Sequence, residues 1–231
     1  MCLRIMLVLA AACSLLVAGD VFAREVQVNE MLAKYIAQRE QEFDEIPAQR
    51  KSELAELSEF VRQQGVSGKP ALLTFICTHN SRRSHLCQIW AATAAAYYGI
   101  ENVRTFSGGT EATAFNPRAI ASLQRAGFSI EVPEESDNPR YSVQYATGVE
   151  PLVCFSKVYN SEPNPTSNYC AVMTCSDADE KCPIVQGAAK RLAIKYEDPK
   201  AFDGTTLESS KYDERCAQIA REMLYAFSLL K

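Results

Sequence analysis

A short apolar run, Ala71-Leu72-Leu73-Thr74-Phe75-Ile76, meets an alanine-rich stretch at 84–98 across a tight loop that begins at Cys77. The first segment has the length of a buried strand. The second, carrying Leu86, Ile89 and Trp90, reads as a helix. The loop between them therefore opens onto a helix N-terminus, where unpaired backbone N–H groups and the helix dipole favour an anion. The same surroundings favour the thiolate form of a cysteine. Arg83 offers a planar fork that can clamp two oxygens of a tetrahedral oxyanion, and Ser84 can hydrogen-bond the sulfur. Thr78-His79-Asn80-Ser81-Arg82-Arg83-Ser84 thus reads as an oxyanion cradle around a nucleophilic Cys77. The plainer reading is a small core cysteine.

Any such anion site is local. The 231-residue chain has a formal charge of −4 and a pI near 5.4, which argues against nucleic acid or an anionic membrane as a general partner. Residues 1–23 differ from the rest: Arg4 precedes an uncharged apolar stretch at 5–19, and Val21-Phe22-Ala23 resembles a peptidase cleavage site. This is the pattern of a secretory signal peptide. The stretch is short for a membrane span, and none is expected in the mature chain. The expected location is therefore outside the cytoplasm, in the periplasm; a misread N-terminus would leave the protein cytoplasmic. Removing Cys2 and Cys13 leaves Cys77, Cys87, Cys154, Cys170, Cys175, Cys182 and Cys216. An odd set cannot all form structural disulfides, and a reactive thiol in an oxidising compartment needs a dedicated reductant.

Residues 24–69 read as a helical extension and linker. Met31, Leu32, Tyr35, Ile36 and Phe43 recur at helical spacing, as do Leu54, Leu57, Phe60 and Val61, with a break at Ile46-Pro47. After the 84–98 helix, Gly99 reads as its cap and 103–107 as a second strand, stopped by Gly108-Gly109. Asn116-Pro117 pairs an N-cap with a first-turn proline, opening a helix at 119–125 that Gly127 closes. Strand and helix alternating in this way make a parallel sheet with right-handed crossovers. Residues 133–168 interrupt the rhythm with a hairpin of 141–145 and 152–158, read as a cap over the site or as decoration. A third strand at 169–174 ends at Cys175, a fourth at 191–196 ends at Glu197-Asp198-Pro199, and a final helix covers 211–230.

In an open parallel sheet, ligands bind outside the carboxyl ends of the strands. Cys77, Cys175 and Asp198 each sit at such an end, so the fold brings them to one edge. Asp198 can act as general acid or base, with Pro199 stiffening the loop that presents it; a solvated turn aspartate is the alternative. Cys175 and Cys182 have no zinc spacing. If the segment between them is helical, seven residues rise about 10.5 Å. That exceeds the Cα separation of roughly 7 Å a disulfide tolerates, so the pair joins only if the helix unwinds. Two unrelated core thiols are the alternative. His79 and His85 with Cys77 and Cys87 match no common metal pattern, and no metal or cofactor is called for.

These residues together resemble the low-molecular-weight tyrosine phosphatase superfamily, most closely its thioredoxin-coupled arsenate reductases. The likeness runs over 70–231, with 133–168 as an insertion. It rests on Cys77-x5-Arg83-Ser84 with Asn80, on Phe106-Ser107-Gly108-Gly109-Thr110-Glu111, on Asn116-Pro117-Arg118-Ala119-Ile120, on Cys175-Ser176-Asp177-Ala178-Asp179 with Cys182-Pro183, and on Asp198-Pro199. The fold expected is α/β: a flavodoxin-like four-stranded parallel sheet with helices on both faces, an N-terminal helical extension and an inserted β-hairpin.

The resemblance implies a three-thiol relay. Cys77 attacks arsenate, held by Arg83 and the loop amides, with Asp198 protonating the leaving hydroxide. Cys175 then attacks Cys77, and Cys182 attacks Cys175, passing the disulfide to a thioredoxin-like reductant. The phosphatase alternative keeps Cys77, Arg83 and Asp198, acts on a phosphate ester and hydrolyses a phosphocysteine. Phosphatases of the family usually carry paired tyrosines after Asp-Pro, whereas this chain has Lys200-Ala201-Phe202. His79 stands where a glycine is usual, so a positive φ there would strain the loop. Arg82 replaces a small or sulfur residue and adds charge. A third reading is a non-catalytic exported module that senses anions or redox state.

Overall fold

The computed structural model describes residues 27–131, 135–182 and 184–231. The segment 1–23 that reads as a signal peptide, its expected cleavage site, the start of the insertion at Pro133, and Pro183 beside Cys182 lie outside them. Among the described residues, no helix is long and apolar enough to cross a membrane.

Two helices come first, α1 (Glu30–Glu40) and α2 (Ala48–Val66), separated by a 3₁₀ turn at Phe43–Glu45. Asn29 caps α1 by accepting from the Leu32 amide at 2.9 Å. The strand–loop–helix unit follows as β1 (Ala71–Cys77) and α3 (Arg83–Tyr97), then β2 (Val103–Gly109) and α4 (Pro117–Ala126). The insertion contributes β4 (Tyr141–Gln144) and β5 (Leu152–Cys154), after the short β3 (Ser129–Glu131). The sheet resumes with β6 (Tyr169–Met173), the short helix α5 (Ser176–Lys181) and β7 (Ala188–Ala193). A long C-terminal helix, α6 (Glu208–Ser228), ends the fold.

β1, β2, β6 and β7 form one parallel sheet in the order β2-β1-β6-β7. This is the flavodoxin-like order for four strands. Its connections reverse direction between β1 and β6, and the crevice outside that reversal is the natural binding site. Helices cover both faces unequally. One face, with Leu73, Phe75, Cys170, Val172 and Leu192, joins a core shared with α1, α2, α3, α4 and α6. The other face, with Ile76, Tyr169, Ala171 and Met173, is covered by α5 through Ala178 and by Val185 and Tyr159.

The extension packs into the main core. Leu32, Ile36, Leu54 and Leu57 are fully buried there, each worth about 1.5–3 kcal/mol relative to exposure. Trp90 of α3 anchors this layer, stacked on Tyr35 at 5.5 Å and meeting Phe128 edge-on at 4.9 Å. Cys216 is core, as its helical stripe suggested, and accepts from the Trp90 indole at 3.3 Å.

Three boundaries differ from the expectations. β2 runs through Gly108 and Gly109 instead of stopping before them. A Cβ on Gly109 would stand 2.2 Å from the Glu111 carbonyl oxygen, so glycine here permits a close approach and does not end the strand. β7 begins at Ala188 and ends at Ala193, although Ile194 and Tyr196 still donate to Met173 and Thr174. The inserted hairpin is present as β4 and β5, and it gains a third strand from the chain just before the insertion: β3 pairs with β4, giving a three-stranded antiparallel sheet. Its last strand stops at Cys154. The chain then turns aside, and Val158 bridges Gly109 in parallel at the end of β2.

Candidate active site

Cys77 is the last residue of β1 and is buried, and the loop after it wraps its sulfur. Ser84 Oγ lies 3.1 Å from Cys77 Sγ. The Asn80 side-chain amide donates to the same Ser84 oxygen at 2.8 Å, so the single Ser84 hydroxyl hydrogen is left to point at the sulfur. Such a donor stabilises the thiolate as it attacks and as it leaves. Asn80 Oδ1 accepts from the Lys157 amide at 2.9 Å, which orients the carboxamide.

The left-handed residue in this loop is Asn80, with φ 44°, and His79 is not in that region. The expected strain at His79 is therefore absent. Asparagine tolerates this backbone better than most residues, and its side chain is used at the same point. His79 forms the outer wall, its ring 3.8 Å from a Glu111 carboxylate oxygen. Thr78 and Ser81 tie the loop to the β2–α4 connection, Thr78 accepting from the Glu111 amide and Ser81 Oγ donating to the Ala114 carbonyl. His85, one turn into α3, is fully buried against Phe115 at 4.0 Å and 3.1 Å from Ser107 Oγ. Burial, with Lys157 nearby, holds its pKa well below the usual range, so the ring stays neutral.

Arg83 opens α3 and points its fork at the β7 end of the sheet. One terminal nitrogen donates to the Tyr196 carbonyl at 2.9 Å and the other to Asp198 Oδ2 at 2.8 Å. Its Nε is buried and has no acceptor among the described residues, a donor suited to an oxyanion. Asp198 also caps the following 3₁₀ turn, its Oδ1 accepting from the Lys200 amide at 3.1 Å. Arg82 is engaged elsewhere. Its Nε donates to the Tyr212 hydroxyl at 2.8 Å, and its guanidinium lies 3.9 Å from Asp198 and 3.7 Å from Asp203. Arg82 therefore braces the acid loop against α6, a role the sequence did not reveal.

Cys175 caps α5, and its Sγ stands 3.6 Å from the Thr78 hydroxyl, one residue from Cys77. Cys182 lies at the other end of α5, partly exposed. Arg191 of β7 pins that end, donating to Asp179 Oδ1 at 2.6 Å and to the Cys182 carbonyl at 3.1 Å. The three cysteines are all free. Cys77, Arg83, Cys175 and Asp198 thus converge at the β1–β6 reversal, while Cys182 is held away by the length of a short helix.

Behind the loop sits Lys157, 6% exposed, its ammonium over the Phe155 ring at 4.5 Å and donating to the Phe155 carbonyl. No carboxylate pairs with it among the described residues, and burial pulls its pKa down from 10.5 to about 8. Below pH 8 the amine is charged in both folded and unfolded chains, and the cost of burying charge is fully felt. Between pH 8 and 10.5 the unfolded chain holds the extra proton, so this contribution makes stability rise with pH. Lys157→Met is expected to stabilise the fold by about 1–3 kcal/mol at pH 7, with a smaller gain at pH 10. Urea denaturation at both pH values checks this; a variant no more stable than wild type at pH 7 would contradict it.

Residues 72–142 match the family model of low molecular weight phosphotyrosine protein phosphatases. The arsenate reductase of Bacillus licheniformis is 25% identical over 154 residues, covering 67% of this chain and 92% of its own length. That of Bacillus subtilis is 28% identical over 144 residues, covering 62% and 85%. A solved arsenate reductase in the phosphate binding state is 18% identical with a TM-score of 0.43, covering 70% of this chain and 99% of its own. The part of the chain that carries Cys77 and Arg83 therefore belongs to the low-molecular-weight phosphatase superfamily, close to its arsenate reductases. The protein is an enzyme of one of those two types, which leaves the non-catalytic reading without support.

Proposed function

We propose that this protein reduces arsenate to arsenite through a relay of Cys77, Cys175 and Cys182. One observation carries the reading. A second free thiol, Cys175, stands beside the residue following Cys77, and a third closes the far end of a six-residue helix. Phosphate-ester hydrolysis has no use for either.

The Cys77 thiolate attacks arsenic(V), and the displaced oxygen leaves as water with a proton from Asp198. Arg83 and the loop amides carry the charge that builds on the oxygens. Cys175 then attacks Cys77 Sγ. The sulfur–sulfur bond forms, the sulfur–arsenic bond breaks, and its electron pair leaves with arsenic as arsenite. Cys182 attacks Cys175 and frees the Cys77 thiolate. That step requires α5 to unwind, because its ends lie about 10.5 Å apart along the helix axis. Release of the Arg191 clamp on Asp179 and Cys182 is part of it. A thioredoxin-like dithiol takes up the Cys175–Cys182 disulfide. If residues 1–23 direct export, that dithiol belongs to the compartment outside the cytoplasm.

Hydrolysis of phosphate monoesters is the second reading, because Cys77, Arg83 and Asp198 alone suffice for it and the matched family is a phosphatase one. The two separate in one experiment. Steady-state arsenate reduction with a thioredoxin system is expected to fall at least about 100-fold in both Cys175→Ser and Cys182→Ser, while p-nitrophenyl phosphate cleavage without reductant stays unchanged. Full arsenate turnover in both variants would remove the relay. Efficient ester cleavage with no arsenate reduction would establish the phosphatase.

A further inference from the structure

The oxyanion loop is braced from outside by a segment of the insertion, residues 155–159, which leaves the small antiparallel sheet to run along it. Ser156 is the centre of the brace. Its hydroxyl donates to the His79 carbonyl at 2.9 Å and accepts from the Thr113 amide at 2.8 Å. The Lys157 amide holds Asn80 Oδ1, and the Lys157 carbonyl accepts from the Gly109 amide at 2.8 Å. Tyr159 closes the pairing by donating to the Gly109 carbonyl at 2.9 Å. The two backbones are in direct contact: a Cβ on Gly108 would stand 2.3 Å from Tyr159 Cα. Ser156 is itself locked, its amide and carbonyl both bonded by the Asn138 side chain at 3.0 and 2.8 Å.

The loop needs such a brace. Asn80 is left-handed, a conformation that costs about 1 kcal/mol or more and persists only where its surroundings hold it. Loop amides stabilise an oxyanion only while they are already aimed, and a displacement of about 1 Å can cost roughly 100-fold in rate. Ser156 is 2% exposed, so removing its hydroxyl from this buried position leaves the Thr113 amide without that acceptor and the His79 carbonyl with only the Thr113 hydroxyl, at 3.2 Å, among the described residues.

From this geometry we infer that Ser156, locked by Asn138, is a positioning residue that holds the cradle around Cys77 in its anion-binding shape. The inference rests on the cradle reading of the loop, not on arsenate as the substrate. Inorganic phosphate therefore serves as the probe. Wild type and variants are alkylated with iodoacetamide at rising phosphate concentrations, and modification of the Cys77 peptide is followed by mass spectrometry.

Ser156→Ala is expected to raise the half-protecting phosphate concentration about tenfold, with an unchanged circular dichroism spectrum. Asn138→Ala, which keeps the hydroxyl but loosens its backbone, is expected to move it the same way by a smaller factor. Half-protection of Ser156→Ala within twofold of wild type would overturn the inference. So would a shift in Ser156→Ala that comes with lost ellipticity and is not matched by Asn138→Ala. If phosphate does not protect wild-type Cys77, the cradle reading falls along with the inference. If phosphate protects but arsenate is not reduced, the proposed function fails and the positioning role stands.

Discussion

Cys77→Ser is expected to lose turnover by at least about 10⁴-fold on whichever substrate proves physiological, because every proposed route begins with that sulfur. A serine hydroxyl is a far weaker nucleophile than a thiolate, and the side chain hydrogen-bonded to this position is a hydroxyl, which is no base. Ser84 offers only its hydroxyl, 3.1 Å from the sulfur, and that hydroxyl is already bonded to Asn80. The fold should survive, since serine is smaller, sits at the end of β1 and keeps a hydrogen bond to Ser84. The diagnostic result is a chain that still binds phosphate, measured by calorimetry, yet reduces no arsenate and cleaves no p-nitrophenyl phosphate. Residual turnover within 100-fold of wild type would mean that another group attacks.

Arg83→Lys is expected to cost about 10²–10³ in kcat/KM, a large loss for a substitution that conserves charge. The guanidinium spends its two terminal nitrogens on the Tyr196 carbonyl and Asp198, leaving the buried Nε for an oxyanion. A lysine ammonium is a single point and cannot span the carbonyl, the carboxylate and the substrate at once. Arg83 also makes the shorter of the loop's two contacts to Asp198, 2.8 Å against 3.9 Å for Arg82. Its loss frees the acid as well as the anion clamp, so Arg83→Lys combined with Asp198→Asn should show clear non-additivity. Steady-state kinetics on both single variants and the double variant tests this. A loss below threefold for Arg83→Lys would show that the Arg83 Nε is not used on substrate; the two-oxygen clamp expected from the sequence is already spent on Tyr196 and Asp198.

The parts of the site legible in the sequence share one property: each depends on residues close together in the chain. The apolar run before Cys77, the alanine-rich stretch after it, and the Asn116-Pro117 and Gly127 caps of α4 all express local preferences. One general rule about parallel sheets then carried Cys175 and Asp198 to the same edge, because strand ends can be read one at a time. The boundary errors came where long-range contacts override local preference. Gly108 and Gly109 look like a stop but continue β2, because Tyr159 and the loop pass too close for side chains. The expected strand 152–158 ends at Cys154, because the next backbone groups find better partners at Asn80 and Gly109.

From the sequence alone came a candidate nucleophilic cysteine in an anion loop, a candidate acid and a second thiol at one sheet edge, a third thiol seven positions further on, and a resemblance to the superfamily that combines them. Helix periods, strand lengths and caps are short-range physics; the shared edge needed the rule for open parallel sheets as well, and the superfamily needed the resemblance of the motifs. Only the tertiary structure decided how the cradle is held. It put the left-handed turn at Asn80 instead of His79, turned Arg82 toward Tyr212 and Asp203, and braced the loop with Ser156 from an insertion that sequence could place only as a cap or decoration. Those contacts join residues about 77 to 130 positions apart. No local preference encodes them, because their partners exist only once the sheet has brought distant strands together.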